Sequence, residues 1–198
     1  MKKLVGSIAT ATILTSGAFA SDFYMGLNLG QSKVDTQIEN VQNASLDEKD
    51  TSYGVTLGYN INKYFAVQTT YTKFGDATLD FKPGSTFKLK NEPLTSFVDG
   101  DIKVETKSIS LELIGKAPIH NYFTPFIKLG MHRYSKELKL NTTLGSVYSK
   151  ATGTDKLVGL GIESKFTENI YTRVGYDKYY LDDEGDVKNL SFSFIYKF

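Results

Sequence analysis

From Ser21 to Phe198 the chain alternates large apolar residues with small or polar ones at a period of two. That is the spacing at which successive side chains point to opposite faces of a strand. Phe23, Met25, Leu27 and Leu29 stand against Tyr24, Gly26, Asn28 and Gly30. The split recurs with Tyr53, Val55, Leu57 and Tyr59, with Phe65, Val67, Thr69 and Tyr71, and with Ile109, Leu111 and Leu113. It returns with Ile127, Leu129 and Met131, then with Val158, Leu160 and Ile162. Ile170, Thr172, Val174 and Tyr176 follow, and last come Leu190, Phe192, Phe194, Tyr196 and Phe198. These eight segments each approach the length of about 10 residues that a tilted strand needs to cross a bilayer.

Soluble sandwiches and lipocalin-like barrels also alternate, so the connectors and the glycines decide. Short links at 61–63, 116–122 and 167–169 alternate with longer ones at 33–51, 75–102 and 135–153, with a shorter final one at 182–187. Outer-membrane barrels have this asymmetry, tight periplasmic turns facing longer outside loops. Gly26, Gly30, Gly54, Gly58, Gly130, Gly159, Gly161 and Gly175 all fall on the small or polar parity. Glycine weakens a strand unless that face is crowded, and the lumen of an eight-stranded barrel is just wide enough to be filled by side chains. The pattern therefore predicts an all-β chain: an eight-stranded antiparallel up-and-down transmembrane β-barrel with its greasy side outward. An even strand count places both mature termini on the periplasmic side.

The start of the chain has a different character. Lys2 and Lys3 precede an apolar stretch, Leu4 to Leu14, and Ala18-Phe19-Ala20 supplies a small-residue cleavage site. The stretch is shorter than the roughly 20 residues of a spanning helix. Residues 1–20 read as a signal peptide cleaved near Ala20, and residues 21–198 as the barrel domain. Removing the leader leaves 21 basic residues against 22 acidic ones, a balance that does not suit a nucleic-acid partner. There are no cysteines, so an exported chain needs stability from a source other than disulfides, such as a closed sheet in lipid.

Three stretches carry a resemblance: SYGVTLGYN (52–60) with the following NKYFAVQTTY, YFTPFIKLG (122–130) and the terminal SFSFIYKF (191–198). With the patterns above, they make the chain resemble the small outer-membrane β-barrel family of the OmpA transmembrane domain, OmpX and the opacity-type porin-family surface proteins. The resemblance implies residence in the outer membrane of a Gram-negative bacterium, passage through the secretion and barrel-assembly machinery, and a final strand (Phe194, Tyr196, Phe198) read as the assembly signal. It implies little about role, because that family hosts adhesins, structural proteins and occasional enzymes on one scaffold. The sequence departs from full-length OmpA in showing no peptidoglycan-binding domain after the barrel.

Two charge patterns follow from the parity. Counting across the turns places Glu112 opposite Lys128 and Glu163 opposite Arg173, all on the lumen side. Opposite charges across a strand pair stabilise it, so they are expected as structural ion pairs, with a proton or ion path as the alternative. On the lipid side, bases avoid strand centres and gather at the long-loop end: Lys33, Lys73, Lys107, Arg133, Lys156, Lys178 and Lys188, with Lys49 extending the set. The expectation is a rim facing lipopolysaccharide phosphates, against plain snorkelling. Aromatics near both ends (Tyr64, Phe65, Tyr122, Phe123, Phe166 and Tyr171 by the turns; Tyr71, Phe74, Tyr134, Tyr179 and Tyr180 by the loops) read as two interfacial girdles.

Catalysis has little to draw on. His132, with Ser135 and Glu137, distantly resembles the His/Ser/Glu set of lipid A deacylase barrels, but the spacing differs. The acidic stretch 181–187 lacks the ligand spacing of a calcium hand. No cofactor, metal or enzymatic activity is expected. The expected role is a monomeric structural and surface-interaction barrel, adhesin-like, contacting outer-membrane lipids, lipopolysaccharide and an extracellular ligand the sequence does not name. A narrow OmpW-like conduit for ions or small apolar solutes is the alternative, and a lipid A-modifying enzyme the third reading. The 75–102 loop is the expected contact surface.

Overall fold

A computed structural model describes residues 22–89, 92–120, 122–182 and 185–198, so residues 1–20, read as a leader, lie outside it. Eleven strands are described: β1 (Phe23–Val34), β2 (Ile38–Asp47), β3 (Lys49–Asn60), β4 (Phe65–Lys73), β5 (Ala77–Leu89), β6 (Glu92–Thr95), β7 (Gly100–Lys116), β8 (Phe123–Thr142), β9 (Gly145–Lys165), β10 (Ile170–Tyr180) and β11 (Asp186–Lys197). Eight of them close a cylinder in the order β1, β3, β4, β7, β8, β9, β10, β11, with β11 pairing back onto β1 and every neighbour antiparallel. The barrel is closed and eight-stranded, as the alternation predicts. No described helix is long and apolar enough to cross a membrane.

The outward parity carries the apolar belt. Leu29 is 63% exposed and Leu111 64%, while Ile114, on the inward parity of β7, is fully buried. Residues of that size left open over a whole circumference mark a surface made for a non-aqueous neighbour. The inward side is crowded. A Cβ on Gly58 would fall 2.1 Å from the ring of Tyr24, so only glycine leaves room for that buried tyrosine beside β3.

The long connectors are not loops. β8 has 20 residues and β9 has 21, about twice what a bilayer crossing requires. They stay paired rung for rung up to Thr142 and Gly145. β2 runs on from the top of β3, and β5 takes up the line of β4, pairing with the upper half of β7 through Ala77–Val104 to Phe81–Gly100. The result is a wall of five strands, in the order β2, β5, β7, β8, β9, standing above the rim on one side, with β6 paired to β5. On the other side β1, β10 and β11 end low.

The sequence reading put loops at 33–51, 75–102 and 135–153, and the structure corrects it. The cause is a change of solvent along one strand. On β8 the outward residues run Ile127, Leu129, Met131, then Arg133, Ser135, Glu137 and Lys139, apolar giving way to polar. The inward ones run Lys128, Gly130, His132, then Tyr134, Lys136, Leu138 and Leu140. Above the rim the sheet is therefore greasy inside and wet outside, the reverse of the part below. Its inner face forms one apolar core with Phe74, Leu79, Phe81, Ile102, Val104, Leu157, Tyr179 and Leu181 buried. This core also corrects the outer aromatic girdle. Tyr71 faces outward, but Phe74, Tyr134 and Tyr179 are buried in the cap over the lumen.

Candidate functional site

The lumen holds a continuous chain of charges. At its upper end Lys128 Nζ lies 2.7 Å from Asp177 and 3.8 Å from Glu112. Glu112 accepts hydrogen bonds from Ser110 Oγ at 2.5 Å and from Gln68 Nε2 at 2.6 Å. The carbonyl oxygen of the same Gln68 accepts from Tyr24 OH and from Arg173 Nη1, both at 2.9 Å. Arg173 Nη2 then meets Glu163 at 2.7 Å, and Glu163 is shared with Lys116 at 3.4 Å and Lys197 at 3.2 Å. Asp177, Glu112, Glu163 and Arg173 are all at least 95% buried. Buried ions persist where each has a partner, and here one amide, Gln68, joins the two clusters.

Sequence arithmetic and register agree on one pair and differ on the other. Arg173 stands directly opposite Glu163. Glu112, however, is opposite Gly130, and Lys128 is opposite Ile114, so the 3.8 Å contact between them is diagonal across the ladder. The turn between β7 and β8 is longer by two than symmetric counting assumed. Counting also missed Asp177, the nearest anion to Lys128, because it sits two strands away on β10. Gln68 gave no signal at all, being one polar residue among several on the inward face of β4.

Little open space remains. The mid-lumen cavity measures about 20 Å³, close to one water. Above it, His132 is held by Ser108 Oγ at 3.0 Å and the Tyr180 carbonyl at 2.8 Å, and its ring meets Tyr179 edge-on at 5.1 Å. The apolar cap closes the mouth over that. Below Glu163 a recess of about 520 Å³ opens at the short-turn end.

His132 points inward, whereas Ser135 and Glu137 lie on the outward parity of the same strand, where Glu137 pairs with Lys150 at 3.0 Å. Opposite faces of a strand cannot form the triad geometry. Among the described residues no group of His, Cys, Asp and Glu is placed to hold a metal ion.

At the outer rim the structure sets lysines side by side. Lys178 is directly opposite Lys188, Lys188 opposite Lys33, and Lys33 opposite Lys49, a row across β10, β11, β1 and β3. Lys73 and Lys107 are opposite each other on β4 and β7. Like charges directly opposite are destabilising. Partial relief comes from Asp186, 2.6 Å from Lys178, and Glu48, 3.4 Å from Lys33. Lys156 and Lys178 both reach over the ring of Tyr180, at 4.9 and 4.4 Å, and Arg133 is exposed on β8. Phe194 and Tyr196 on β11, and Phe198 just after it, are all exposed on the outward parity.

A family model described as outer membrane protein beta-barrel domain matches residues 5–198. Among solved structures, the fold is similar to that of Ail, the attachment invasion locus protein of Yersinia pestis, at 15% identity over 90% of this chain and 99% of that one, with a TM-score of 0.58. A second Ail structure, in complex with the heparin analogue sucrose octasulfate, also at 15% identity, covers 89% of this chain and 99% of that one with a TM-score of 0.52. Neisserial surface protein A is 18% identical over 89% of this chain and 97% of its own, with a TM-score of 0.54. The N-terminal β-barrel domain of Pseudomonas aeruginosa OprF is 14% identical over 89% and 98%, at 0.51. Likeness at such identities is likeness of fold. No curated protein matches the sequence.

Proposed function

Because this chain belongs to the outer membrane protein β-barrel domain family, we propose that it serves as a sealed membrane anchor for a rigid, surface-displayed β-sheet that makes adhesin-like contacts outside the cell. One observation carries the reading: the lumen is blocked twice, by the Lys128–Gln68–Arg173 charge chain and by the apolar cap above it, while the five-strand wall stands clear of the lipid belt. A barrel filled in this way has a scaffold role, and the wall is the part that meets other molecules. The neighbour Ail was crystallised with a heparin analogue, which makes sulfated glycan the first ligand class to try. Retention of whole cells or vesicles on immobilised heparin, with the wall strands β5 and β6 replaced by a short turn as control, tests it. Equal retention of both forms rejects the wall as the contact surface.

The outer lysine row belongs to the same reading. Four ammonium groups in direct register repel one another, and lipopolysaccharide phosphates relieve that repulsion with strong charge-assisted bonds. Changing Lys33, Lys49, Lys178 and Lys188 together to Gln is expected to reduce co-purifying lipopolysaccharide, and undiminished retention rejects it. Cleavage of a leader near Ala20 and recognition of the β11 aromatics by the assembly machinery complete the proposal.

A narrow conduit is the second reading, favoured by the 520 Å³ recess at the turn end. Stable single-channel conductance in planar bilayers would support it over the sealed anchor.

A further inference from the structure

We propose that the recess at the periplasmic mouth of the barrel is a binding site for a phosphate-bearing anion. At the outer rim the bases on the outward parity face away from the barrel axis. At the turn end they do the opposite: Lys116, Lys165 and Lys197 fall on the inward parity and, with Lys63 from the β3–β4 turn, line one recess of about 520 Å³.

The cations there outnumber the anions. Glu163 alone answers Arg173, Lys116 and Lys197, at 2.7, 3.4 and 3.2 Å. The other acid lining the recess among the described residues is Asp22, and Lys63 and Lys165 add two more positive charges. Lys197 makes up part of the deficit by sitting 3.3 Å from the centre of the Tyr171 ring, a contact in which an aromatic face stands in for an anion. Lys116 finds a neutral acceptor, Asn60 Oδ1, at 2.9 Å. Excess positive charge on half-buried, low-dielectric walls focuses potential into the opening and draws in anions. Lysine ammonium groups, as unconstrained point charges, suit phosphate more than they suit the planar fork of a carboxylate. The volume exceeds what a bare phosphate needs and matches a small phosphate ester. Two sources share this chemistry: a soluble phosphorylated solute of the periplasm and the headgroup of an inner-leaflet anionic phospholipid.

The test uses the folded protein in maltoside micelles, which carry no phosphate. Pyrophosphate is titrated while the amide signals of Lys165, Tyr171 and Lys197 are followed, and phosphatidylglycerol is added to a separate sample. Saturable shifts at these amides with pyrophosphate assign the soluble source, and shifts with the lipid alone assign the headgroup. Lys165→Gln/Lys197→Gln should weaken binding about tenfold, while Lys33→Gln/Lys188→Gln at the opposite end leaves it unchanged. If the first double variant does not fold, Lys63→Gln/Lys165→Gln, which changes the two lysines at the open edge, replaces it. Absence of saturation by either compound up to about 10 mM, or wild-type affinity in the recess variants, overturns the proposal.

Discussion

The ammonium of Lys128 lies 2.7 Å from the carboxylate of Asp177, reaching from β8 to β10 over Gly159 of β9, which stands opposite both. Glu112 approaches the same ammonium at 3.8 Å. Two acids thus depend on one base, and the two partners are not equivalent. Lys128→Met strands both carboxylates and should cost about 3–5 kcal/mol, the penalty for an unpaired buried charge. Asp177→Asn leaves Lys128 with Glu112 and should cost less. Urea unfolding in micelles, followed by heat-modifiable gel migration, gives the order. If Asp177→Asn proves the more damaging, the pairing assigned here is wrong.

At the other cluster the dependence is reversed, since three bases share Glu163. Glu163→Gln should therefore be more destabilising than Lys197→Gln, by roughly 2 kcal/mol or more. Adding Arg173→Gln to Glu163→Gln should recover part of the loss, because it removes a charge that no longer has a partner. Simple additivity of the two changes contradicts the coupling.

The wall has its own core, so its failure should be local. Phe74 is 1% exposed and meets Tyr179 edge-on at 4.8 Å. Phe74→Ala should cost about 3–5 kcal/mol, felt above the rim. Amide exchange is expected to accelerate in β2, β5 and the upper halves of β7 to β9, while the amides in the turn-side halves of β1, β10 and β11, away from Val34, Tyr179 and Val187 of the same core, keep their protection. Uniform acceleration would mean that wall and barrel form one cooperative unit.

Where β4 bends into β5, Asp50 accepts the backbone N–H of Asp76 at 2.9 Å and that of Thr51 at 2.6 Å. These two donors hold its carboxyl below the usual carboxylate range. A depressed acid contributes stability that is present above its unfolded pKa, about 3.9, and is lost as pH falls through the lower folded value. The urea midpoint read from the Gly75 and Asp76 amide signals should drop on acidification below about pH 4. In Asp50→Asn that increment should be missing at all pH values.

Much of the barrel was legible because lipid and lumen impose opposite demands on alternate residues. Leu27 against Asn28, or Leu129 against Gly130, states the fold directly. The wall was legible too, but in a different phase: Leu138 and Leu140 carry on the parity of Lys128 and His132, so a search for apolar residues opposite glycine passes over them. Turn length was not legible. The β7–β8 turn shifts the register of Glu112 by two positions from the symmetric count, and only the ladder reveals it. Asp177 was out of reach for another reason, since it meets Lys128 over β9, between strands that are not neighbours in the sheet. Gln68 stands directly opposite Glu112, but its bonds to Tyr24 and Arg173 likewise join non-neighbouring strands, and no local spacing encodes them. A glycine marked the bend. A Cβ on Gly75 would sit 2.2 Å from that of Asp50, but the sequence alone gives that glycine no partner.

The inversion on β8 at Arg133 and Tyr134 has an evolutionary side. Below it, an outward substitution must satisfy acyl chains. Above it, Glu137, Lys139 and Asn141 lie on the outward parity, paired with Lys150, Glu105 and Asp101, while Tyr134, Leu138 and Leu140 pack inward. A cell under pressure from antibodies or phage could exchange those three positions together with their cross-strand partners and keep the scaffold, so surface variation in relatives of this chain should concentrate on alternate residues of the wall and spare the ones between.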